Sequence, residues 1–264
     1  AAEVVRETQE GARRILRRKF PANRVRALWR PLGDDYFLRN TADEIAWHAQ
    51  AVLAAGIEEL PLVVVRKGRG GLELFLFTPD HKDLFAACAL ALDRLGLNVL
   101  DARIITAATG MTLDSFVVEE APGIDEPDEA RVSEVRARVR EALRRTARDV
   151  PTATRMPPRQ LRHFQMPTTI SFEQDDAHRR TKMEVVTMDR PGLLARLGWA
   201  MAACGVSLQS AKIATFGARA EDLFFLCDRH NGPLDEEQMR SLEVHIRRAL
   251  EGRESANSPG VNAA

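Results

Sequence analysis

The spacing of apolar residues divides the chain near residue 60. Before that point they recur every three or four positions, as on one face of a helix, and Thr41 with Glu44 forms a capping-box pattern at the start of one helix. After it, short β-branched and aromatic runs such as residues 62–65 and 72–77 alternate with longer amphipathic stretches. The pattern therefore predicts an all-helical segment over residues 1–58, followed by α+β structure.

A second feature is a sequence repeat with an offset of 109 residues. The matching pairs are Asp80 with Asp189, Leu84 with Leu193, Gly96 with Gly205, and Ile104 with Ile213. The offset becomes 108 at Phe116 and Phe224, so the second copy has one residue fewer between two predicted strands. A long repeat of this kind indicates two copies of one domain.

Each copy reads as two strands, a helix, two strands and a second helix. This is the order of a ferredoxin-like βαββαβ unit with its last strand moved to the front, so two helices should cover one face of a four-stranded antiparallel sheet. The other face would stay open to water, a partner sheet or a ligand. The predicted division is a first domain at 60–150, a linker rich in Pro, Thr and Arg at 151–167, a second domain at 168–252, and a disordered tail at 253–264.

The composition is that of an ordinary globular protein, with 45% hydrophobic and 29% charged residues. The formal net charge is zero, which argues against a nucleic-acid binder. No run approaches the ~18 continuous apolar residues of a membrane span, and the three scattered cysteines fit reduced thiols better than a disulfide framework. We therefore expect a cytoplasmic protein with no membrane or nucleic-acid partner. The start in mid-helix without Met suggests a piece of a longer protein.

Residue patterns for catalysis or metal binding are not evident. Phosphoryl-transfer enzymes need paired carboxylates that hold Mg²⁺, whereas Asp34-Asp35 and Asp175-Asp176 are isolated adjacent acids. The six histidines are scattered, and none is followed by Asp. Residues 68–71 are glycine-rich but lack the length and the Lys of a phosphate-binding loop. We expect no catalytic residue, no metal site and no enzymatic activity in this chain.

The string Asp189-Arg-Pro-Gly-Leu-Leu194, followed by Gly205-Val-Ser207, resembles the ACT domain, a small ferredoxin-like module that binds amino acids. Leu161-Arg-His-Phe164 precedes the second copy, and Ala46-Trp-His48 lies upstream of both. In order and spacing these strings are similar to the C-terminal part of the bifunctional PII uridylyltransferase/uridylyl-removing enzyme family. The resemblance covers about residues 30–250.

This resemblance implies a longer parent protein. In that family an N-terminal nucleotidyltransferase adds UMP to PII signalling proteins, a central metal-dependent HD hydrolase removes it, and two C-terminal ACT domains sense glutamine. Residues 1–58 would then be the end of the hydrolase domain, and Mg²⁺ would serve only catalytic domains that this chain lacks. The implied partners are L-glutamine and PII. ACT sheets commonly pair edge to edge, either within one chain or between the chains of a homodimer.

The second copy carries the closer match to an amino-acid site. A helix N-terminus offers unpaired N–H groups and a partial positive charge to a carboxylate, and Gly192 leaves the backbone open to close approach. Pro191 suits the first turn of that helix, and Asp189 could cap it with the ligand ammonium nearby. Ser207 and Gln209, on the adjoining strand or on its dimer mate, could bind a side-chain amide. The resemblance implies a ligand between this loop and the start of the second strand of a neighbouring ACT unit. The candidates in this copy are Asp189, Pro191, Gly192, Leu193, Leu194, Ser207, Leu208 and Gln209.

The first copy departs from this pattern, because His81-Lys82-Asp83 stands where the second copy has Arg-Pro-Gly. Asp83 puts a carboxylate where the ligand carboxylate would bind and should repel it. Asn98, in place of Ser207, is well suited to bind an amide. The candidates in this copy are Asp80, Asp83, Leu84, Phe85, Asn98 and Val99.

Three other interpretations stay open. The Asp-x-Pro-Gly loop is also an ordinary way to begin a helix, and Gly96 and Gly205 are ordinary residues at the end of a helix, so neither feature requires a ligand. The ACT repeats could instead dock PII or hold the enzyme together without binding an amino acid, which Asp83 favours. A sensor from another ACT enzyme is the third interpretation, and the strings at 46–48 and 161–164 argue against it.

Overall fold

The computed structural model describes residues 1–68, 70–148 and 166–251. Within these ranges the chain forms eight α-helices and one eight-stranded sheet, in which all neighbouring strands are antiparallel. The predicted α+β class, with two ferredoxin-like repeats after a helical segment, is confirmed. Nearly all of the predicted linker at 151–167 and the whole predicted tail at 253–264 lie outside the described residues, and their nature stays a prediction.

Four helices form the N-terminal segment: α1 (Ala2–Leu16), α2 (Ala22–Trp29), α3 (Asp34–Arg39) and α4 (Ala42–Ala54). The predicted capping box is present at the start of α4. The Thr41 hydroxyl accepts from the backbone N–H of Glu44 at 3.2 Å, and the Glu44 carboxylate accepts from the N–H of Thr41 at 2.7 Å. The box gives partners to two N–H groups that a helix start otherwise leaves unpaired.

Each repeat has the predicted order of strands and helices. The first comprises β1 (Leu62–Gly68), β2 (Gly71–Pro79), α5 (Leu84–Arg94), β3 (Leu97–Arg103), β4 (Met111–Glu120) and α6 (Glu129–Arg148). The second comprises β5 (Thr169–Asp175), β6 (Arg180–Met188), α7 (Leu193–Ala203), β7 (Ser207–Phe216), β8 (Arg219–Cys227) and α8 (Glu236–Glu251). The strand order β1-β2-β4-β3 is repeated as β5-β6-β8-β7.

The two repeats join within the chain at a seam, which is the antiparallel pair of β3 and β7. At its centre Ala102 faces Ala211, and both side chains are fully buried. The helices also meet across the seam, because a Cβ added to Gly198 of α7 would lie 2.9 Å from the ring of Phe85 on α5. The main core, between one face of the sheet and helices α5 to α8, is therefore continuous from one repeat to the other.

The opposite face of the first repeat is not open, because the helical segment packs on it. Phe75 of β2 is fully buried there, and its ring stacks on His48 of α4 with the centroids 4.0 Å apart. His48 in turn hydrogen-bonds the Tyr36 hydroxyl at 2.9 Å, and burial lowers the pKa of His48 to about 3, so the ring is neutral. In the second repeat the position of Phe75 is taken by Glu184, which is exposed. The expectation of a free face is thus wrong for the first repeat.

Polar contacts of Arg103 and Arg39 tie the helical segment to the seam. The guanidinium of Arg103, near the end of β3, pairs with the Glu44 carboxylate at 2.8 Å and donates to the carbonyl of Arg39 at 2.7 Å. Arg39 itself donates to the carbonyl of Gln209 in the second repeat. Burial would raise the pKa of Glu44, but the hydrogen bonds from Arg103 and the N–H of Thr41 outweigh it and lower the pKa to about 2. The segment therefore contacts both repeats.

Candidate ligand site at the seam

A cleft of about 70 Å³ lies at the seam, between the loop before α7 and the start of β3. We call it the seam pocket. It is bordered by both repeats: the second contributes the loop and one buried carboxylate, and the first contributes a strand start. Its lining residues include Asn98, Val99, Asp189, Gly192, Leu193 and Asp222.

The N-terminus of α7 opens into this pocket without a side-chain cap. Gly192 is its N-cap residue and has a φ of +73°, in the left-handed region that glycine adopts without strain. A Cβ at this position would meet nothing within 4 Å, so the loop is open to an approaching group. The first backbone bond within the helix runs from Arg196 to the Gly192 carbonyl, which leaves the N–H groups of Leu194 and Ala195 without helical partners. Such N–H groups suit a carboxylate.

Two details of the predicted loop are wrong. The helix begins at Leu193, so Pro191 precedes the N-cap residue and is not in the first turn. Asp189 does not cap the helix, because no side chain forms a cap hydrogen bond at the N-terminus of α7. Asp189 is consequently a wall of the pocket rather than the cap of α7.

Negative charge dominates the rest of the seam pocket. Partial burial, together with the neighbouring Asp93, raises the pKa of Asp189. Burial raises the pKa of Asp222 to about 7, and the charge of Asp189 adds to this effect. The guanidinium of Arg190 is directed elsewhere and donates to the carbonyl of Leu250 at 2.5 Å. The pocket thus combines a helix N-terminus with carboxylates that lack a cationic partner among the described residues.

The first repeat completes the pocket with Asn98 and Val99 of β3. Asn98 is exposed, and its amide can both donate and accept hydrogen bonds. Val99 is buried and supplies an apolar wall. The predicted residues of the Asp189 loop therefore meet Asn98 and Val99 of the other copy, across the seam.

The remaining candidates belong to the equivalent position on the other side of the seam, where the loop before α5 and the start of β7 take the place of the loop before α7 and the start of β3. We call this the mirror position. These candidates are Asp80, Asp83, Leu84 and Phe85 of the first repeat, with Ser207, Leu208 and Gln209 of the second. None of the seven lines the seam pocket. Ser207 and Gln209 thus do not adjoin the Asp189 loop, and Gln209 lies at a bulge of β7.

The mirror position differs from the seam pocket in its local structure. Asp83 is buried and is the N-cap residue of α5 with a φ of −99°, so the loop does not adopt the left-handed turn of Gly192. The Gln209 carbonyl already accepts from the N–H of Ile104 at 2.8 Å and from Arg39 of the helical segment. Thr106 donates to the Asp80 carboxylate at 3.3 Å. These polar groups find partners inside the protein, whereas the His81 Nε2 and Asp114 Oδ2 atoms are buried without a hydrogen-bond partner among the described residues.

Sequence reasoning missed Asp222, whose carboxylate lines the seam pocket. The signal was available, since Asp114 and Asp222 occupy matching positions of the repeat, 108 residues apart. Among the described residues no group of three or more His, Cys, Asp or Glu side chains is arranged to hold a metal ion. No helix within the described ranges is long and apolar enough to span a membrane.

Known proteins resemble the chain over most of its length. The family model described as "Uridylyltransferase GlnD fifth domain" matches residues 1–51. Bifunctional uridylyltransferase/uridylyl-removing enzymes match most of the chain: that of Methylococcus capsulatus is 40% identical over 94% of it, that of Pseudomonas savastanoi pv. phaseolicola 43% over 90%, and that of Azotobacter vinelandii 41% over 97%. The chain spans only 28%, 27% and 30% of the length of these relatives.

Proposed function

The chain belongs to the family of bifunctional uridylyltransferase/uridylyl-removing enzymes, as their C-terminal part, and we propose that it is a glutamine-sensing regulatory region of such an enzyme in the cytoplasm. In this proposal glutamine binds the paired ACT repeats and controls the uridylylation and deuridylylation of PII by catalytic domains outside this chain. The assignment of residues 1–58 to the end of a hydrolase domain stays a prediction.

The seam pocket is the observation that supports amino-acid binding. An amino acid carries a carboxylate and an ammonium on neighbouring atoms, and the pocket offers an uncapped helix N-terminus close to carboxylates. The free N–H groups of Leu194 and Ala195 suit the ligand carboxylate. Asn98 can form hydrogen bonds to both the oxygen and the nitrogen of a side-chain amide. This combination favours a neutral amide side chain such as that of glutamine.

The position of the pocket supports regulation. Its walls come from both repeats, so a ligand that contacts both stabilises one arrangement of the seam over others. The helical segment contacts the same seam through Arg103 and Arg39, which gives a physical connection from the pocket towards the N-terminal side of the chain. Coupling to an attached active site requires only that glutamine bind two arrangements with different affinity.

Calorimetric titration of the purified chain with L-glutamine tests the proposal. We expect saturable binding of L-glutamine and much weaker binding of L-glutamate, D-glutamine and the other amino acids. A folded chain that binds no amino acid would contradict the proposal and favour a docking role for PII. Selective binding of a different amino acid would instead indicate a sensor of another kind.

Asn98→Ala tests the contribution of the first repeat to the pocket. Loss of one or two neutral hydrogen bonds should weaken glutamine binding by about 3- to 10-fold. The measurement is the same titration, with Ser207→Ala, the matching position of the other repeat, run beside it. If Ser207→Ala weakens binding and Asn98→Ala does not, the ligand binds at the mirror position and the assignment to the seam pocket is wrong.

A further inference from the structure

A buried carboxylate without a complete set of partners lines the seam pocket. Asp222 of β8 is only 1% exposed, and its Oδ1 atom has no hydrogen-bond partner among the described residues. A buried ionised group of this kind is costly unless it is paired or hydrogen-bonded. Because Asp222 lines the cleft, its carboxylate is placed where a partner from outside the protein could reach it.

The matching carboxylate of the first repeat, Asp114, has a hydrogen-bond donor inside the protein. Asp114 is also fully buried, and its Oδ2 atom likewise has no hydrogen-bond partner among the described residues, but the Thr112 hydroxyl donates to its Oδ1 atom. Burial raises the pKa of Asp114 to about 8, although the hydrogen bond from Thr112 opposes the shift. In the second repeat Ala220 occupies the position of Thr112 and cannot donate. The two copies thus keep the same acid, and the second copy lacks the internal donor.

The charged side chains around Asp222 favour a positively charged ligand group. Asp189, from the loop before α7, and Asp93, from α5, are the charged side chains that line the pocket beside it, and both are acidic. The third charged lining residue, Arg190, directs its guanidinium to the carbonyl of Leu250. A small cation with several N–H donors would compensate this charge, and an alkyl ammonium has three such donors.

We propose that Asp222 binds the α-ammonium group of the amino-acid ligand in the seam pocket, while the N–H groups of Leu194 and Ala195 bind its carboxylate. This inference rests on the proposed function, because it assigns a role within the same site. Asp222 is then the residue that distinguishes glutamine from the same molecule without its amino group. Ala220, by lacking a hydroxyl, keeps the carboxylate free for the ligand.

The test compares two ligands and two variants by calorimetry at pH 8. The ligands are L-glutamine and 4-carbamoylbutanoate, which is glutamine without its amino group. Asp222→Asn should weaken glutamine binding on the order of 100-fold, because the ammonium loses its buried charged partner. It should change the weak binding of 4-carbamoylbutanoate by less than about 3-fold. The matched control Asp114→Asn, at the same position of the first repeat, should leave glutamine affinity unchanged.

Thermal unfolding separates this role from a loss of folding. Because the folded state raises the pKa of Asp222 to about 7, its contribution favours folding below about pH 4 and is lost as the pH rises towards 7. Asp222→Asn should therefore melt higher than the parent chain at pH 8, with a gain that shrinks towards pH 4. A variant that is more stable yet binds poorly has lost a ligand contact and not its fold.

The outcomes discriminate between the two proposals. If the parent chain binds no amino acid, the proposed function fails and this inference fails with it. If the parent chain binds glutamine and Asp222→Asn binds it equally well, only the inference is overturned. Equal weakening of glutamine and 4-carbamoylbutanoate would also overturn it, because Asp222 would then act on some other part of the ligand.

Discussion

Gly192→Asp is expected to abolish glutamine binding, with a loss of at least about 100-fold, or ~2.7 kcal/mol. The new carboxylate would stand at the N-terminus of α7, next to the N–H groups of Leu194 and Ala195 that should hold the ligand carboxylate. It would compete for these donors and repel the ligand. Glutamine titration of the folded variant, with its circular dichroism spectrum, measures the effect.

Gly123→Asp is the matched control for this variant. Gly123 also has a left-handed φ, of +87°, and open space around its missing Cβ, but it lies in the loop after β4 and does not line the seam pocket. Both variants therefore add one negative charge and a backbone strain of ~1 kcal/mol. Retained binding in Gly192→Asp, or equal loss in both variants, would contradict the role of the α7 N-terminus.

Phe75→Ala is expected to lower the free energy of unfolding by ~3–5 kcal/mol and to loosen the helical segment. The ring of Phe75 is fully buried between β2 and α4, where it stacks on His48 and lies 6.3 Å from the Trp47 ring. Its removal leaves a cavity at the interface that joins residues 1–54 to the first repeat. Denaturant unfolding followed by tryptophan fluorescence measures both effects.

Glu184→Ala is the control, because Glu184 has the position of Phe75 in the second repeat and is exposed. It should change the free energy of unfolding by no more than ~0.5 kcal/mol. A small effect of Phe75→Ala, comparable to that of Glu184→Ala, would show that the helical segment does not depend on this face of the sheet.

The repeat made the architecture predictable to a large extent. Matching residues 109 positions apart defined two domains, and the alternation of strands and helices within each defined the ferredoxin-like order. The packing of the helical segment was not predicted, because the relevant contrast is between single residues, Phe75 in one copy and Glu184 in the other. The difference between Phe75 and Glu184 can be interpreted only once the structure shows which face of the sheet these two residues occupy.

The site was predictable only in part, for a similar reason. The Asp189 loop was identified, but its partner across the seam depends on which strand edges pair, and the sequence of one copy does not determine this. Pairing of β3 with β7 brings Asn98 to the loop and leaves Ser207 on the other side. Asp222 was not predicted, because it lies within a strand and its match to Asp114 is explained by the repeat alone. Only the structure shows that its carboxylate lines the pocket.

A crystal structure of the chain with bound L-glutamine would test the central claim most directly. We predict one ligand in the seam pocket, with its carboxylate on the N–H groups of Leu194 and Ala195 and its side-chain amide towards Asn98. Glutamine bound only at the mirror position, between Asp83 and Gln209, or outside both repeats, would contradict the account.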